Sequence, residues 1–327
     1  MTDVQTTQVY LWQQPVWETL TQRFPNLGHG LLFYGKKGCG KEAFAQHFLS
    51  WVLCLNKQSQ GACGECSSCL WLKSDTHPNY VHVTTDDDNK KQNAKIKIEK
   101  IRDLQPFVQQ TVEGWRVIVI EPAEALNIAS SNALLKTLEE PGERVILILL
   151  ADHYLKLPAT IRSRLQHFAL DRISEAQAHT YLNQHLDASH HSNIPLLMTL
   201  SNAMPLAAIE LAHAEWLKRR AEFLQDWLKL VSQKNMPMQI ATKWHKELAF
   251  HEFIMMLEYL LSDIVCAKLN QSIKNKDLDF SQIAQYYSLE QLFNVYSEVQ
   301  DFKLLVEQNV QTNLVVDQLF IKLMNVC

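Results

Sequence analysis

The sequence predicts an α/β domain built on a parallel sheet, followed by an all-helical region. Near the start of the chain, a glycine-rich turn joins a short apolar run to a helical pattern. Further apolar runs alternate with helical patterns up to about residue 165, and strands that are apolar on both faces are typical of a parallel sheet covered by helices. After Arg164 only helical periodicity continues, so we expect no further strand.

The first elements predict a phosphate loop in which one working part is replaced. Residues 31–34 are a predicted strand, residues 41–54 a predicted helix, and the turn between them reads Gly-Lys-Lys-Gly-Cys-Gly-Lys-Glu. The candidate phosphate-binding residues are Gly35, Gly38, Gly40 and Lys41. A nucleotide-hydrolysing loop carries Ser or Thr after the Lys, and its hydroxyl holds Mg²⁺. Glu42 stands at that position and has the wrong charge to lie beside phosphates.

Four cysteines at the end of this helix predict a metal module over residues 54–69. Cys54, Cys63, Cys66 and Cys69 are spaced C-x8-C-x2-C-x2-C. Four thiolates bind Zn²⁺ tetrahedrally and leave no open position, so the predicted Zn²⁺ is structural. A redox or disulfide role is the alternative. The remaining cysteines have no partner at ligand spacing.

The next predicted strands cover residues 80–84, 117–120 and 145–150. After the second of these, an ATPase of this type carries Asp-Glu, in which the Asp orients Mg²⁺ and the Glu activates water. Here the chain reads Glu121-Pro122, and Pro122 has no proton acceptor on its side chain. Glu124 lies two residues further on. Glu42 and Pro122 therefore predict a chain that does not hydrolyse ATP.

Two further strings carry a resemblance to a known family. They are Ser131-Asn-Ala-Leu-Leu-Lys-Thr-Leu-Glu-Glu-Pro141 and Leu157-Pro-Ala-Thr-Ile-Arg-Ser-Arg164. Together with the four-cysteine insertion and the altered phosphate loop, they resemble the clamp-loader subunits of bacterial DNA polymerase III, most closely the delta-prime subunits. The resemblance is strong from about residue 31 to residue 164. In the C-terminal helices only the overall pattern and size agree.

The resemblance implies an AAA+ P-loop fold with three domains. These are an α/β nucleotide-binding domain at 1–165, a small helical lid at 166–210 and a helical collar at 211–327. It also implies a heteropentamer with gamma/tau and delta subunits, which loads the sliding clamp onto primer–template DNA during replication. The chain would be one component of the DNA polymerase III holoenzyme in the bacterial cytoplasm.

Residue by residue, the resemblance implies that Arg164 is an arginine finger delivered in trans to a neighbour's ATP. Leu165 replaces the Cys that follows this Arg in the family. Met204 aligns with a lid Arg of the active relatives. Lys41 would then be a vestigial contact that at most holds ATP or ADP without turnover. The implied role is a stator that does not hydrolyse ATP.

Two alternatives remain open at this point. An ATP-hydrolysing gamma/tau-like motor would share the fold, but Glu42 and Pro122 argue against it. A zinc-containing nucleotide kinase would also combine a phosphate loop with a four-cysteine module, but it needs an arginine-rich lid and a shorter chain. ATPase and phosphoryl-transfer assays of the purified chain distinguish the three.

Composition agrees with a multidomain protein that does not grip nucleic acid by itself. The chain has 327 residues, of which 47% are hydrophobic, and a formal net charge of −4. That charge disfavours a broad basic face. The first residues do not resemble a signal peptide, and no apolar run approaches the ~20 residues that span a bilayer. Residues 85–95, which are rich in charge, are predicted to form an exposed loop.

Overall fold

The computed structural model describes residues 9–85, 94–110, 112–233, 237–307 and 311–324. Most of the predicted exposed loop, residues 86–93, lies outside the described residues. The contacts divide the chain into two compact units. The first is Met1–Tyr181 with Met204–Ala207, and the second is Leu182–Ala203 with Ala208–Cys327.

The first unit contains a five-stranded sheet in the order β2-β3-β4-β1-β5, in which every pairing is parallel. The predicted α/β class with a parallel sheet is therefore confirmed. The central β4 is buried along its whole length, as its unbroken apolar sequence requires. The strands are β1 (Gly30–Tyr34), β2 (Tyr80–Val83), β3 (Arg116–Ile120), β4 (Val145–Ala151) and β5 (Gln166–Ala169).

Helices cover both faces of this sheet, and alternate residues of each strand face opposite cores. Leu31 and Phe33 pack with α2, whereas Leu32 packs with the core that includes Leu134 of α6. The helices of this part of the chain are α1 (Gln14–Arg23), α2 (Lys41–Leu53), α3 (Ser67–Lys73), α4 (Ile98–Arg102), α5 (Leu104–Gln109), α6 (Ile128–Glu139), α7 (Ala159–Arg162) and α8 (Glu175–His185).

Strand register places the predicted functional loops at one edge of the sheet. Tyr34 of β1 pairs with Ala151 of β4, and Ile120 of β3 pairs with Leu149. Because the strands are parallel, the residues that follow β1, β3 and β4 all emerge at the carboxyl edge. This is where open α/β sheets bind their ligands.

The expectation that strands end at Arg164 is wrong. β5 pairs with β1, with Leu31 opposite Gln166 and Tyr34 opposite Ala169. It is an edge strand of only four residues with a mixed sequence, Gln-His-Phe-Ala, and its first two residues are exposed. A strand that is buried on one side only does not need the continuous apolar run by which the central strands were recognised.

The described residues of the second unit contain helices and no strand. Its core includes the fully buried Trp216, Phe223, Trp227 and Trp244. The helices that follow α8 are α9 (Ile194–Leu200), α10 (Pro205–His213), α11 (Glu215–Gln233), α12 (Pro237–Glu247), α13 (Phe250–Lys268), α14 (Ser281–Gln285), α15 (Leu289–Glu307) and α16 (Thr312–Met324).

One detail of the second unit differs from the sequence prediction. The helical pattern predicts separate helices at residues 289–299 and 301–324, but α15 continues to Glu307 and α16 begins at Thr312. Helices are predicted throughout residues 215–327, and α12 lies in this range. Along the described ranges, no helix combines the length and the apolar character that crossing a membrane requires.

Candidate functional site

The predicted phosphate loop connects β1 to α2, as expected. Gly38 and Gly40 have φ angles of +86° and +83°, which glycine adopts at little cost. Gly40 is the N-cap of α2, and Lys41 is the first residue of that helix. The local backbone is therefore that of a loop that ends at a helix N-terminus, where anions are stabilised.

The ammonium group of Lys41 is neutralised within the protein. It forms ion pairs with Glu42, at 2.8 Å, and with Asp152, which directly follows β4. The Lys41 side chain is only 4% exposed. Burial by itself lowers the pKa of Lys41, but the hydrogen bonds with Asp152 and Glu42 outweigh it and raise the pKa above its ordinary value. Two carboxylates of the chain therefore pair with the ammonium group that would otherwise contact phosphates.

A third carboxylate contacts the loop backbone. Asp171 Oδ2 accepts a hydrogen bond from the Lys36 N–H at 3.2 Å. In a functional phosphate loop, backbone N–H groups of this kind point at the phosphates. Here at least one of them points at a carboxylate that belongs to the chain.

Aromatic and small side chains lie directly against the loop glycines. A Cβ placed on Gly40 would come within 2.6 Å of the Tyr10 ring, and one on Gly38 within 2.5 Å of the Ala207 Cβ. Tyr10 stacks on Trp12 with ring centroids 4.8 Å apart. The Trp12 indole N–H donates to the Cys39 carbonyl at 2.9 Å. The N-terminal segment is therefore tied to the loop.

The segment after β3 has no water-activating group in the expected place. Glu121 lies 3.6 Å from His82, and the exposed Pro122 follows it. Glu124 Oε1 accepts a hydrogen bond from the His153 N–H at 2.6 Å. Its carboxylate is thus bound to the backbone next to Asp152. Glu124 Oε2 is buried and finds no partner among the described residues.

Arg164 follows α7 and is held by the long motif that forms α6. Its Nε donates to Glu139 Oε1 at 2.9 Å, and Nη2 lies 2.6 Å from the same oxygen. Nη1 donates to the Thr160 carbonyl at 3.0 Å. The Arg164 side chain remains 38% exposed. The two motifs that carry the family resemblance therefore meet at one oriented guanidinium on the surface.

The four predicted metal ligands come together, with ligand atoms within 4.8 Å of one another. The Sγ–Sγ distances are 3.6 Å for Cys54–Cys63, 4.0 Å for Cys54–Cys66, 4.0 Å for Cys63–Cys69 and 3.4 Å for Cys66–Cys69. A tetrahedron with Zn–S bonds of about 2.3 Å has sulfurs about 3.8 Å apart. A disulfide requires about 2.05 Å. The arrangement fits a tetrahedral metal and does not fit a disulfide.

Hydrogen bonds to the sulfurs favour the thiolate form of Cys63 and Cys66, whereas burial raises the pKa of Cys54 and Cys69. The Cys63 N–H donates to Cys54 Sγ at 3.3 Å, and the Cys66 N–H donates to Cys63 Sγ at 3.4 Å. Burial opposes ionisation of Cys66, but hydrogen bonds from the Leu55 and Cys69 backbone and from neighbouring thiols lower its pKa to about 6. Such outer contacts orient ligands and tune their basicity.

Aromatic residues of α1 and α2 fix the loop that separates the first and second cysteines. The indole N–H of Trp51 donates to the Gln58 carbonyl at 2.8 Å, and that of Trp17 to the Ser59 carbonyl at 3.3 Å. His47 Nε2 lies 2.9 Å from the Gln60 carbonyl. The module is therefore anchored to the core of the α/β unit.

His77 is not part of the ligand cluster. Its Nδ1 accepts from the Asn79 N–H at 3.0 Å, so Nε2 carries the proton and donates to Ser68 Oγ at 2.8 Å. Burial lowers the pKa of His77. This neutral histidine links α3 to the entry of β2.

Sequence reasoning missed Asp152, Asp171 and Tyr10 as residues that act on the loop. Asp152 could have been found, because it follows an apolar strand and parallel strands end at a common edge. Asp171 follows β5, which was not recognised. Tyr10 carries no sequence signal for its position, because it precedes the strand by twenty residues and reaches the loop only through tertiary packing.

These features define the class of the protein: a phosphate-loop α/β domain whose loop is altered. The family described as "DNA polymerase III, delta subunit" matches residues 12–174. The DNA polymerase III subunit delta' of Pseudomonas aeruginosa is 34% identical over 239 residues, 72% of this chain and 71% of that protein. The delta' subunit of Haemophilus influenzae is 28% identical over 87% of this chain and 86% of its own.

The chain therefore belongs to the delta-prime family of DNA polymerase III clamp-loader subunits. The tau subunit of Bacillus subtilis is also similar, with 34% identity over 160 residues. That match covers 49% of this chain but only 28% of the tau subunit.

Proposed function

We propose that this chain is a delta-prime-like clamp-loader subunit that does not hydrolyse ATP. It acts as a rigid platform in the loader and supplies Arg164 in trans to the ATP of a neighbouring subunit. Its partners are gamma/tau and delta subunits, and it meets the sliding clamp and primer–template DNA through the assembly. Its place is the bacterial cytoplasm, where replication takes place.

The observation that carries this proposal is the double ion pair of Lys41. For a nucleotide to use Lys41, the phosphates must enter beside Glu42 and Asp152. At about 4 Å, two like charges repel by roughly 1 kcal/mol in water and roughly 4 kcal/mol near a protein surface. The loop thus keeps its shape while its charge opposes the usual ligand.

Further contacts agree with the absence of turnover. Pro122 cannot accept a proton, and the nearest acid that follows it, Glu124, is hydrogen-bonded to the backbone. Met204 is buried in the same core as Cys39, so this position offers no cation to a γ-phosphate. These three positions argue against the gamma/tau-like motor.

The trans role of Arg164 is supported by how the side chain is held. Glu139 and the Thr160 carbonyl orient the guanidinium without burying it. A pre-oriented cation loses little entropy when it meets the phosphates of a partner. Arginine fingers accelerate phosphoryl transfer by roughly 10³–10⁵.

We further propose that the four cysteines bind one structural Zn²⁺. Cys54, Cys63, Cys66 and Cys69 would supply all four ligands, so the metal would stabilise the module and not take part in catalysis. We also propose the three domains that the clamp-loader family implies, with boundaries at residues 165 and 210.

The test of the trans role is the ATPase of a reconstituted loader that contains this chain with gamma/tau and delta subunits. Arg164→Ala should leave assembly intact and lower the DNA-stimulated turnover by at least about tenfold, a smaller loss than the roughly 10³–10⁵ that arginine fingers contribute at a single site. Arg162→Ala is the matched control, because it removes a guanidinium two residues away, which donates to the Leu157 carbonyl and does not occupy the family position of the arginine finger. Equal turnover in the two variants would refute the role of Arg164.

A further inference from the structure

A cleft at the amino-terminal edge of the sheet lies outside every site described above. It has a volume of about 570 Å³, which lies within the range of ligand sites, roughly 300–1,000 Å³. One wall is the end of α5 and the chain that follows it, with Gln109 and Glu113. The other wall is the loop that joins α6 to β4, with Glu140 and Glu143. Because β3 and β4 begin here, the cleft lies at the opposite edge of the sheet from the phosphate loop.

Arg116, the first residue of β3, places a buried cation at this cleft. It lines the cleft although it is only 2% exposed. Its Nη2 donates to the Glu143 carbonyl at 3.0 Å, and its Nη1 donates to the Phe107 carbonyl. Its Nε is buried and has no acceptor among the described residues. Burial lowers the pKa of Arg116, but a guanidinium still remains charged in a protein.

The charge of Arg116 is met only by carbonyl dipoles. In the part of the chain that the structure describes, no carboxylate pairs with it. A buried charge without a counter-charge is costly, so an anion that enters beside it is stabilised. A second guanidinium, Arg144, lines the same cleft and is exposed. Two guanidinium groups at one cleft can hold a carboxylate through charge-assisted hydrogen bonds.

The rim of the cleft carries the opposite charge. Glu113, Glu140 and Glu143 line it and are exposed. Within the described ranges, none of these carboxylates forms an ion pair. The two guanidinium groups and three carboxylates leave the lining with an excess of one negative charge. Because such a rim repels a simple anion, it favours a ligand that carries cationic groups beside its carboxylate.

We propose that this cleft binds a basic amino acid by its α-carboxylate, either free or as the C-terminal residue of a peptide. The carboxylate of the ligand lies between Arg116 and Arg144. Its cationic side chain lies against Glu140 and Glu143. The exposed side-chain amide of Gln109 can both donate and accept, so it can pair with a peptide unit or with the ammonium group of a free amino acid.

The experiment is a calorimetric titration of the full chain with four probes: the tripeptide Gly-Gly-Arg, its C-terminal amide, Gly-Gly-norleucine and free L-arginine. Gly-Gly-Arg should bind saturably. Its amide should bind at least about tenfold more weakly, because it loses the charge-assisted hydrogen bonds to the guanidinium groups. Gly-Gly-norleucine should also bind more weakly, because it lacks the side-chain cation. Free L-arginine distinguishes the two sources: it should bind as tightly as the tripeptide if the ligand is an amino acid, and more weakly if the ligand is a peptide end.

Variants of the cleft locate the binding site. Arg144→Gln should weaken Gly-Gly-Arg by at least about fivefold and keep the wild-type thermal midpoint, because Arg144 is exposed. Arg102→Gln is the matched control, since Arg102 is an exposed arginine of the same unit that does not line the cleft. Glu140→Gln with Glu143→Gln should bring the affinities for the arginine and norleucine peptides together. The proposal is overturned if Gly-Gly-Arg does not bind saturably, if its amide binds as tightly as the acid, or if Arg144→Gln binds as tightly as Arg102→Gln.

Discussion

The carboxylates beside Lys41 should set the nucleotide affinity of the isolated chain. Glu42→Thr together with Asp152→Asn restores a hydroxyl and removes both negative charges. The Glu42 and Asp152 side chains are 51% and 44% exposed, so water screens each repulsion to about 1 kcal/mol at ~4 Å. Removing both should strengthen ATP binding by about 2 kcal/mol, which is roughly 30-fold in Kd. A titration with a fluorescent ATP analogue measures this change.

The same double variant should still not hydrolyse ATP, because Pro122 provides no proton acceptor. Phosphate release measures this second expectation. Glu113→Thr with Asp301→Asn is the control, since it removes two exposed carboxylates elsewhere and changes the net charge equally. Two results would contradict these expectations: wild-type protein that binds ATP as tightly as the double variant, or steady ATP turnover by the double variant.

Two further expectations concern the cysteine module and its neighbour. The wild type should bind one zinc ion per chain, and Cys63→Ser should bind less and unfold at a lower temperature. The reason is that structural Zn²⁺ contributes about 10–16 kcal/mol of binding energy to folding. Metal analysis that finds no zinc in the native protein would contradict this expectation. Burial lowers the pKa of His77 in the folded chain. The contribution of His77 to the free energy of unfolding is therefore complete above the unfolded pKa of about 6.5, and it is lost as pH falls through the folded pKa. Urea unfolding measures the free energy of unfolding at neutral and at mildly acidic pH. This free energy should decrease less on acidification for His77→Gln than for the wild type. Equal decreases in the two proteins would exclude a contribution of His77 to the pH dependence.

The sequence predicted the central part of the fold well because its signals are local. Strands β1, β3 and β4 are continuous apolar runs, and the loop before α2 needs glycines at positive φ. The cysteine spacing predicted a cluster that the structure confirms. Edge strand β5 escaped prediction because partial exposure removes the apolar run. The extent of α15 escaped because a polar residue within an amphipathic helix resembles a break.

Residue types and spacing alone show a phosphate-loop α/β domain, a four-thiol module and two positions, Glu42 and Pro122, that lack the groups needed for ATP hydrolysis. Those conclusions hold because glycine conformations, metal ligands and missing functional groups are properties of short segments. Folding was needed to show that Asp152 pairs with Lys41, that Tyr10 lies on the loop and that Glu139 orients Arg164. Each of these contacts joins residues far apart in the chain, so sheet register and packing create them, and no local pattern encodes them.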